Sequence, residues 1–170
     1  MIIVETERLR LSTYEREEAE ELYAVLGNPD TMQFWPRPFT QQQTLEWIDK
    51  NQLRYRENGF GRWSVRLKDS GALIGDAGIM ISETDGTPEH DLGYIIDARH
   101  WRKGFGYEAA LACLTYGIEQ LKLTRICANM AADHAASRAV AEKLGMKLEK
   151  QFINTRNRDI LTCLYSKEIH

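Results

Sequence analysis

One stretch of the chain changes its hydrophobic period abruptly. Apolar side chains alternate with other residues from Leu92 to Asp97, which is the two-residue period of a strand. From Tyr107 onward the apolar side chains recur at spacings of four and three residues, the period of one helix face: Tyr107, Leu111, Leu114, Ile118 and Leu121. Gly104 and Gly106 lie between the two patterns. The pattern therefore predicts a strand, a short glycine-containing turn and a helix.

The same periods divide the rest of the chain into elements. Strands are predicted at 2–12 with a break near Thr6, at 61–68 with one solvated face, and at 73–81, 124–130, 147–153 and 159–167. Helices are predicted at 15–26 after a Thr13 cap, at 40–57 after a Thr40–Gln43 capping box, and at 135–144 before Gly145. Residues 82–89 are predicted to form a polar loop.

This order of elements combines antiparallel strand pairs with one crossover connection. Such an order favours the α/β class, in its α+β form, with a mixed sheet covered by helices on both faces. The chain has 170 residues and contains no repeat, low-complexity tract or linker, so we expect a single domain over 1–170.

Composition and charge narrow the classes of protein. Hydrophobic residues make up 43% and charged residues 28%, as in ordinary globular proteins. A net charge of −3 argues against general nucleic-acid binding. No apolar run reaches the roughly 20 residues of a membrane span, and no signal peptide is evident. We therefore expect a cytoplasmic protein without a membrane partner, either a monomer or a homodimer. The cysteines and histidines lack metal-ligand spacing, so no metal is predicted.

The glycine-containing turn has the chemistry of an anion site. Glycines leave the amides of the first helical turn uncovered, and those amides carry the positive end of the helix dipole. Such sites bind phosphate groups, and Arg102 and Lys103 add two positive charges at the turn. We therefore interpret the turn as a cradle for a diphosphate. The alternative is an ordinary connection whose basic residues face water.

Two segments carry a family resemblance. Residues 101–109, WRKGFGYEA, resemble the acyl-CoA pyrophosphate loop of the GNAT N-acetyltransferase superfamily. Residues 134–146, HAASRAVAEKLGM, resemble that superfamily's Asn-x-x-Ser…Glu-Lys-Leu-Gly-Phe segment, in the branch of the ribosomal-protein N-terminal acetyltransferases. The opening ETERLRL, the WPRPF loop and the closing segment 158–166 agree with the branch. Trp101, His134 and Met146 depart from the usual residues of the family.

The resemblance implies a GNAT-like, mainly antiparallel sheet of about seven strands with a splayed central pair, 92–97 and 125–130. It implies acetyl-CoA as co-substrate, with the pantetheine amides paired to free backbone groups of residues 94–96. The cofactor-binding residues implied are Tyr94, Ile95, Ile96, Arg102, Lys103, Gly104, Phe105, Gly106, Tyr107, Asn129, His134 and Ser137. The aromatic loop, residues 32–39, is either packing over the core edge or a substrate wall formed by Phe34, Trp35 and Arg37.

Acyl transfer to an amine needs a neutral amine, a stabilised oxyanion and a proton for the thiolate. Asp91, His90 and Glu83 are candidate bases, while Asn129 stands where some relatives carry a catalytic glutamate. Deprotonating an α-amine at pH 7 costs about 1–1.4 kcal/mol, against about 4.6 kcal/mol for a lysine-like amine, which favours an α-amine acceptor. The candidate acids are Ser137, which alternatively caps its own helix, and Tyr165. The oxyanion is expected at an amide near Ile95 or Ile96.

Other functions remain open at this stage. The acceptor is a protein N-terminus or a small amine, such as a polyamine, aminoglycoside or amino acid. A module that binds CoA without catalysis would need no base. The spacing Gly104-x-Gly106-x-x-Ala109 also matches a dinucleotide fingerprint, but that motif needs an acidic residue after the next strand, where this chain has Asn129 and Met130.

Overall fold

An open sheet of eight strands runs through the whole protein in the computed structural model, which describes residues 1–170. The strands are β1 (Ile2–Glu5), β2 (Leu9–Ser12), β3 (Arg62–Leu67), β4 (Leu73–Thr84), β5 (Thr87–Ile96), β6 (Arg125–Ala131), β7 (Lys147–Asn154) and β8 (Ile160–Glu168). The helices are α1 (Ala19–Leu26), α2 (Gln41–Asn58), α3 (Phe105–Glu119) and α4 (Ala135–Lys143). The strand order is β1-β2-β3-β4-β5-β6-β8-β7.

The predicted fold class is confirmed, with eight strands instead of about seven. The difference lies in the opening segment, where the chain turns at Thr6 and forms two antiparallel strands in place of one broken strand. The amide of Thr6 donates to the carbonyl of Leu9 at 2.9 Å, which closes that turn. All neighbouring strands are antiparallel except β5 and β6.

The backbones of the central strands β5 and β6 pair at one position only. β5 pairs with β4 along its whole length, but its register with β6 consists of the single pair Asp91 and Cys127. Beyond this pair the two strands are no longer paired with each other, while the other edge of β6 stays in register with β8. The splayed central pair is thus confirmed, and it opens a gap in the middle of the sheet.

Helix α3 covers one sheet face with small side chains. Ala109, Ala110 and Cys113 are fully buried, whereas Leu111, which the helical period placed on the apolar face, is 40% exposed. A Cβ on Gly117 would lie 2.7 Å from a methyl carbon of Ile79, so the helix packs very close to the sheet. The prediction that large apolar side chains form the buried face of α3 is therefore partly wrong. Small residues are needed on this face because the helix packs so close to the sheet.

The prediction of a solvated face on β3 is wrong. Arg62 is 2% exposed and Ser64 is fully buried, since helix α2 lies near this face of the sheet and its Trp47 shares a carboxylate with Arg62. The Nε atom of Arg62 donates to Asp76 at 2.6 Å, and Asp76 also accepts from the indole of Trp47 at 2.7 Å and from the hydroxyl of Tyr14. Buried charges require such partners, and these partners come from three other elements of the chain.

Local signals fixed several boundaries and missed others. The Thr40–Gln43 capping box and the left-handed backbone of Gly145, φ 81°, are confirmed. The polar loop at 82–89 is wrong, since β4 and β5 continue through it and meet in a tight turn at Asp85 and Gly86. Thr13 does not cap α1, because Glu15 and Glu18 form a capping box at the short 3₁₀ turn before it. None of the helices combines the length and hydrophobicity needed to cross a membrane.

Candidate active site

A cavity of about 750 Å³ occupies the gap between β5 and β6. Its wall is formed by the ends of the two strands, the first turns of α3 and α4, the aromatic loop and the β7–β8 loop. Ala128, Met130 and Ala131 of β6 contribute small or flexible side chains, so the gap stays open. The cavity brings together residues that lie more than 100 positions apart in the sequence.

The first turn of α3 borders this cavity with uncovered amides. Gly104 adopts the left-handed conformation, φ 83°, immediately before the helix, and no side chain caps this end. Glu108 is the first residue whose amide bonds back, to the carbonyl of Gly104 at 3.0 Å, so the amides of residues 105–107 precede the helical ladder. The wall includes the following predicted residues: Arg102, Gly104, Phe105, Gly106 and Tyr107. Lys103 is exposed and lies outside the wall.

Arg8 holds the turn in this conformation. Its Nε atom pairs with Glu108 at 2.7 Å, and its Nη1 atom donates to the carbonyl of Lys103 at 2.8 Å. The guanidinium also lies 4.2 Å from the ring centroid of Phe105. Burial alone would raise the pKa of Glu108, but hydrogen bonds from Thr6 and Arg8 hold it below its ordinary value, so the carboxylate stays charged. Arg8 was not among the predicted site residues, although it lies in the ETERLRL segment that agrees with the family branch.

Tyr94 connects the turn to α4. A Cβ on Gly106 would lie 2.9 Å from the Tyr94 ring, so only glycine lets the aromatic ring approach the helix this closely. Burial raises the pKa of the Tyr94 phenol, and the neighbouring side chain of Ser137 partly opposes the rise. Tyr94 therefore stays protonated beside the Ser137 hydroxyl, and both residues lie in the cavity wall.

One backbone carbonyl at the end of β5 is not free to bind a ligand. The indole nitrogen of Trp101 donates to the carbonyl of Ile96 at 2.7 Å. The expectation that residues 94–96 offer free groups to pantetheine is thus corrected for this carbonyl, which is already paired. Tyr94, Ile95 and Ile96 nevertheless all line the cavity. Trp101 departs from the family pattern, and its indole thus ties the turn before α3 to the end of β5 by this hydrogen bond.

Helix α4 is capped by His134. Its Nδ1 atom accepts from the amide of Ser137 at 3.4 Å, so the alternative in which Ser137 caps this helix is wrong. Burial lowers the pKa of His134, which keeps the imidazole neutral and able to accept. The imidazole stacks on Phe34 of the aromatic loop with ring centroids 3.8 Å apart. His134 thereby joins the α4 side of the cavity to its opposite wall.

The aromatic loop forms one wall of the cavity. Phe34 and Trp35 line it, whereas Arg37 is exposed and lies outside. The side-chain amide of Asn157, in the β7–β8 loop, donates to the carbonyl of Phe34 at 2.9 Å. The two loops therefore meet above the sheet and narrow the entrance from that side.

A titratable carboxyl group lies where the central strands separate. Burial raises the pKa of Asp91 to about 6, although the charge of Arg62 and a hydrogen bond from Asn129 act against the rise. The amide nitrogen of Asn129 donates to Asp91 and to the hydroxyl of Thr84, both at 3.1 Å. A group with this pKa is mostly ionised at neutral pH and still returns a proton readily. Asp91 and Asn129 both line the cavity.

The other candidates for proton transfer lie outside the cavity wall. The ring of His90 lies 5.9 Å from that of Phe60. Glu83 faces Arg156 at 3.8 Å on the surface. Tyr165 is buried and donates to Glu142 at 2.9 Å. Among the named candidates, only Asp91 and Ser137 border the open space.

Comparisons with known proteins agree with this geometry. Residues 8–147 match the family described as an acetyltransferase (GNAT) domain. The uncharacterized protein YkkB of Bacillus subtilis is 33% identical over 146 residues, which are 85% of each chain. A GNAT-family acetyltransferase from Bacillus anthracis has a TM-score of 0.82 at 26% identity, over 99% of this chain and 98% of its own. RimL, a ribosomal L7/L12 α-N-protein acetyltransferase solved with coenzyme A, has a TM-score of 0.79 at 18% identity, covering 99% and 98%, which is a likeness of fold.

Proposed function

Because this chain belongs to the GNAT acetyltransferase family, and is an acetyl-CoA-dependent acetyltransferase, we propose that its acceptor is a primary α-amine such as a protein N-terminus. The amine attacks the thioester directly while both substrates are bound. The observation that carries the proposal is Asp91, a carboxyl group with a pKa of about 6 in the wall of the central cavity. It supplies the base that the sequence left uncertain when Asn129 replaced the expected glutamate.

The cofactor would lie along the gap between the central strands. Its diphosphate would accept hydrogen bonds from the uncovered amides of residues 105–107, with Arg102 beside them. The pantetheine arm would follow the free edge of β5 toward Ser137. Acetyl-CoA bound this way would bring its thioester near the point where β5 and β6 separate. The remaining cavity, under the aromatic loop, would receive the acceptor.

In the reaction, Asp91 takes a proton from the acceptor ammonium, either directly or through one water. The neutral nitrogen then attacks the thioester carbon, and an amide near Ile95 or Ile96 stabilises the oxyanion. When the carbon–sulfur bond breaks, Ser137 donates a proton to the departing thiolate, with Tyr94 beside its hydroxyl. The amine nitrogen loses its second proton to solvent, and the proton held by Asp91 returns through water to the Ser137 oxygen, which leaves the amide, free CoA and the enzyme in its starting state.

The lower pKa of an α-amine supports an α-amine acceptor, because less free energy is needed to move its proton to Asp91. Moving a proton from an α-ammonium of pKa about 8 to a carboxylate of pKa about 6 is uphill by about 2.7 kcal/mol. The same transfer from a lysine-like ammonium of pKa about 10.4 is uphill by about 6 kcal/mol. The difference, about 3.3 kcal/mol, is more than a hundredfold in rate when other terms are equal.

A thiol-release assay with acetyl-CoA tests this proposal. The acceptors are alanine- and serine-initiated peptides, the same peptides blocked at the N-terminus but carrying a lysine, and small amines. We expect release with the free α-amine peptides and none with the blocked ones. Binding of CoA without release from any acceptor would instead identify a non-catalytic module. A thermal shift with NAD and none with CoA would favour the dinucleotide alternative.

Changing Ser137 to alanine separates proton donation from cofactor binding. We expect kcat to fall about 100-fold or more, because one positioned proton donor is lost. The affinity for CoA should stay within about twofold, since the variant keeps the backbone amide of residue 137 that bonds to His134. Stopped-flow thiol release and calorimetry measure the two quantities. Ser70→Ala, on the exposed β3–β4 turn, is the matched control. Unchanged kcat would remove Ser137 from the mechanism.

A further inference from the structure

Arg62 is a buried cation with a donor that the protein leaves unpaired. Its side chain is 2% exposed, and Asp76 pairs with its Nε atom at 2.6 Å. Its Nη2 atom, by contrast, has no hydrogen-bond partner, although Arg62 belongs to the cavity wall. A buried guanidinium N–H without an acceptor is costly, so such groups usually meet a ligand or a water molecule.

The guanidinium lies directly over the backbone of Gly93. A Cβ at this position would be 2.2 Å from Nη1, so any other residue would displace the Arg62 side chain. Gly93 is opposite Gly78, which is in turn opposite Arg62, and the three positions therefore share one face of the sheet. Asp91 lies two residues before Gly93 on the same face, about 6.6 Å away along the strand. The buried cation and the proposed base thus border the same part of the cavity.

A second unpaired atom lies beside the base. The Oδ1 atom of Asn129 is buried without a hydrogen-bond partner, while its Nδ2 atom donates to Asp91. Arg62, Asp91 and Asn129 all line this end of the cavity, where Asp91 and Asn129 supply acceptors and the guanidinium of Arg62 supplies a donor. The complementary ligand carries N–H groups and an oxygen acceptor close together.

The charges of the wall exclude one class of acceptor. Asp91 is the only acidic residue in the wall, whereas Arg62, Arg102 and Arg156 are all positive. Arg102 lies at the cofactor turn, Arg62 is paired with Asp76, and Arg156 lies 3.8 Å from Glu83, so Asp91 is the carboxylate left to meet the acceptor. A polyamine or an aminoglycoside would bring several positive charges to a wall that supplies this one carboxylate. The net acidity of the whole chain, which by itself favours cationic acceptors, is thus not found in the cavity.

We propose that Arg62 binds the oxygen on the carbon next to the acceptor amine, so the enzyme acetylates α-amino acyl compounds and not simple amines or polyamines. In such a compound the amine faces Asp91 and Asn129, and the adjacent carbonyl or carboxylate oxygen accepts from Arg62. This inference rests on the proposed function, and it names the group that the acceptor must carry. A peptide N-terminus and a free amino acid share this group.

Wild-type enzyme tests the inference with four acceptors. They are alaninamide, an alanine-initiated dipeptide amide, free alanine and isopropylamine, which lacks the carbonyl; spermidine is added as a polycation. Rates are expressed per concentration of neutral amine, which removes differences in amine pKa. We expect kcat/KM at least 30-fold higher for alaninamide than for isopropylamine, and no turnover of spermidine. A higher kcat/KM for free alanine than for the dipeptide amide would identify a free amino acid as the acceptor. A higher kcat/KM for the dipeptide amide would identify a peptide N-terminus.

The variant Arg62→Lys tests the residue. Lysine keeps the positive charge beside Asp76 but lacks the second planar N–H group. We expect the preference for alaninamide over isopropylamine to fall at least tenfold, with CoA affinity and the melting temperature as checks of folding. Arg16→Lys, in the exposed pair with Asp49, is the control and should keep the wild-type preference.

Two results would overturn the inference, and neither depends on the variant folding. Equal kcat/KM for alaninamide and isopropylamine in the wild type would show that the adjacent oxygen is not recognised. Efficient acetylation of spermidine would contradict the charge argument. Absence of thiol release with every acceptor would instead refute the proposed function itself, so the two failures are distinguishable.

Discussion

Replacing Gly104 with glutamate should lower the affinity for CoA at least 100-fold. The residue has φ 83°, so any side chain strains the turn, and an added Cβ would lie 3.3 Å from the guanidinium of Arg8. The new carboxylate would therefore lie beside the uncovered amides of α3, where it would repel the diphosphate and compete for the same positive groups. Both effects act on binding, so saturating acetyl-CoA should restore part of the turnover. Calorimetry with CoA measures the loss.

A matched glycine elsewhere separates strain from charge. Gly86, at the β4–β5 turn, has φ 85° and nothing within 4 Å of an added Cβ. Gly86→Glu introduces the same residue into the same backbone conformation, outside the cavity wall. We expect it to lower the melting temperature about as much as Gly104→Glu and to leave CoA affinity unchanged. An unaltered dissociation constant in Gly104→Glu would place the diphosphate elsewhere.

The turn before α3 could be predicted because its signal is local. A strand period, two glycines and a helical period follow one another within a short stretch of chain, and each reflects a preference of the backbone itself. The same holds for the Thr40 capping box and for Gly145, whose geometry involves neighbours a few positions away. Only the start of the helix shifted, from Tyr107 to Phe105, because the glycine at 106 continues the helix instead of preceding it.

The environment of the base could not be predicted because it is assembled from distant segments. Arg62 alternates with Trp63 in the sequence, and this pattern is the same for a solvated and for a covered strand face. Its burial depends on Asp76, Tyr14 and Trp47, which lie 14 to 48 positions away. A single sequence gives no sign of which carboxylate will meet which guanidinium, and the place of Arg62 in the cavity wall was missed for this reason.

Asp91 was predicted as a base, but its position beside Asn129 could not be predicted from the sequence. The sequence predicted Asp91 and its neighbour His90 as candidate bases, since both lie near the start of the central strand. Strand alternation directs successive side chains to opposite faces. Only the register with β6 decides which of them faces Asn129, and that register consists of one residue pair. The assignment therefore required the three-dimensional pairing.

Changing Asp91 to asparagine should lower kcat about 100-fold or more, because a positioned general base contributes about 10²- to 10⁴-fold. The wild-type rate should rise with pH through a midpoint of about 6, as Asp91 loses its proton. In the variant this limb should disappear, and only the ionisation of the free amine should remain. The carbonyl oxygen of the introduced amide can still accept from Asn129, so CoA affinity should not change. Asp49→Asn, in an exposed ion pair, is the control.

The same substitution should stabilise the folded protein at alkaline pH. Burial raises the pKa of Asp91 from 3.8 to about 6, so the native state binds a proton more tightly than the unfolded chain. The wild type therefore loses stability as pH rises from about 4 through 6, up to about 3 kcal/mol, whereas the asparagine variant does not. At pH 8 we expect the free energy of unfolding of the variant to exceed that of the wild type by about 1–3 kcal/mol. Below pH 4 the two free energies of unfolding should be equal. Urea titrations at the two pH values measure this difference. Equal stability at pH 8, with the kinetic limb retained, would show that Asp91 is an ordinary solvated carboxylate and that another group accepts the proton of the amine.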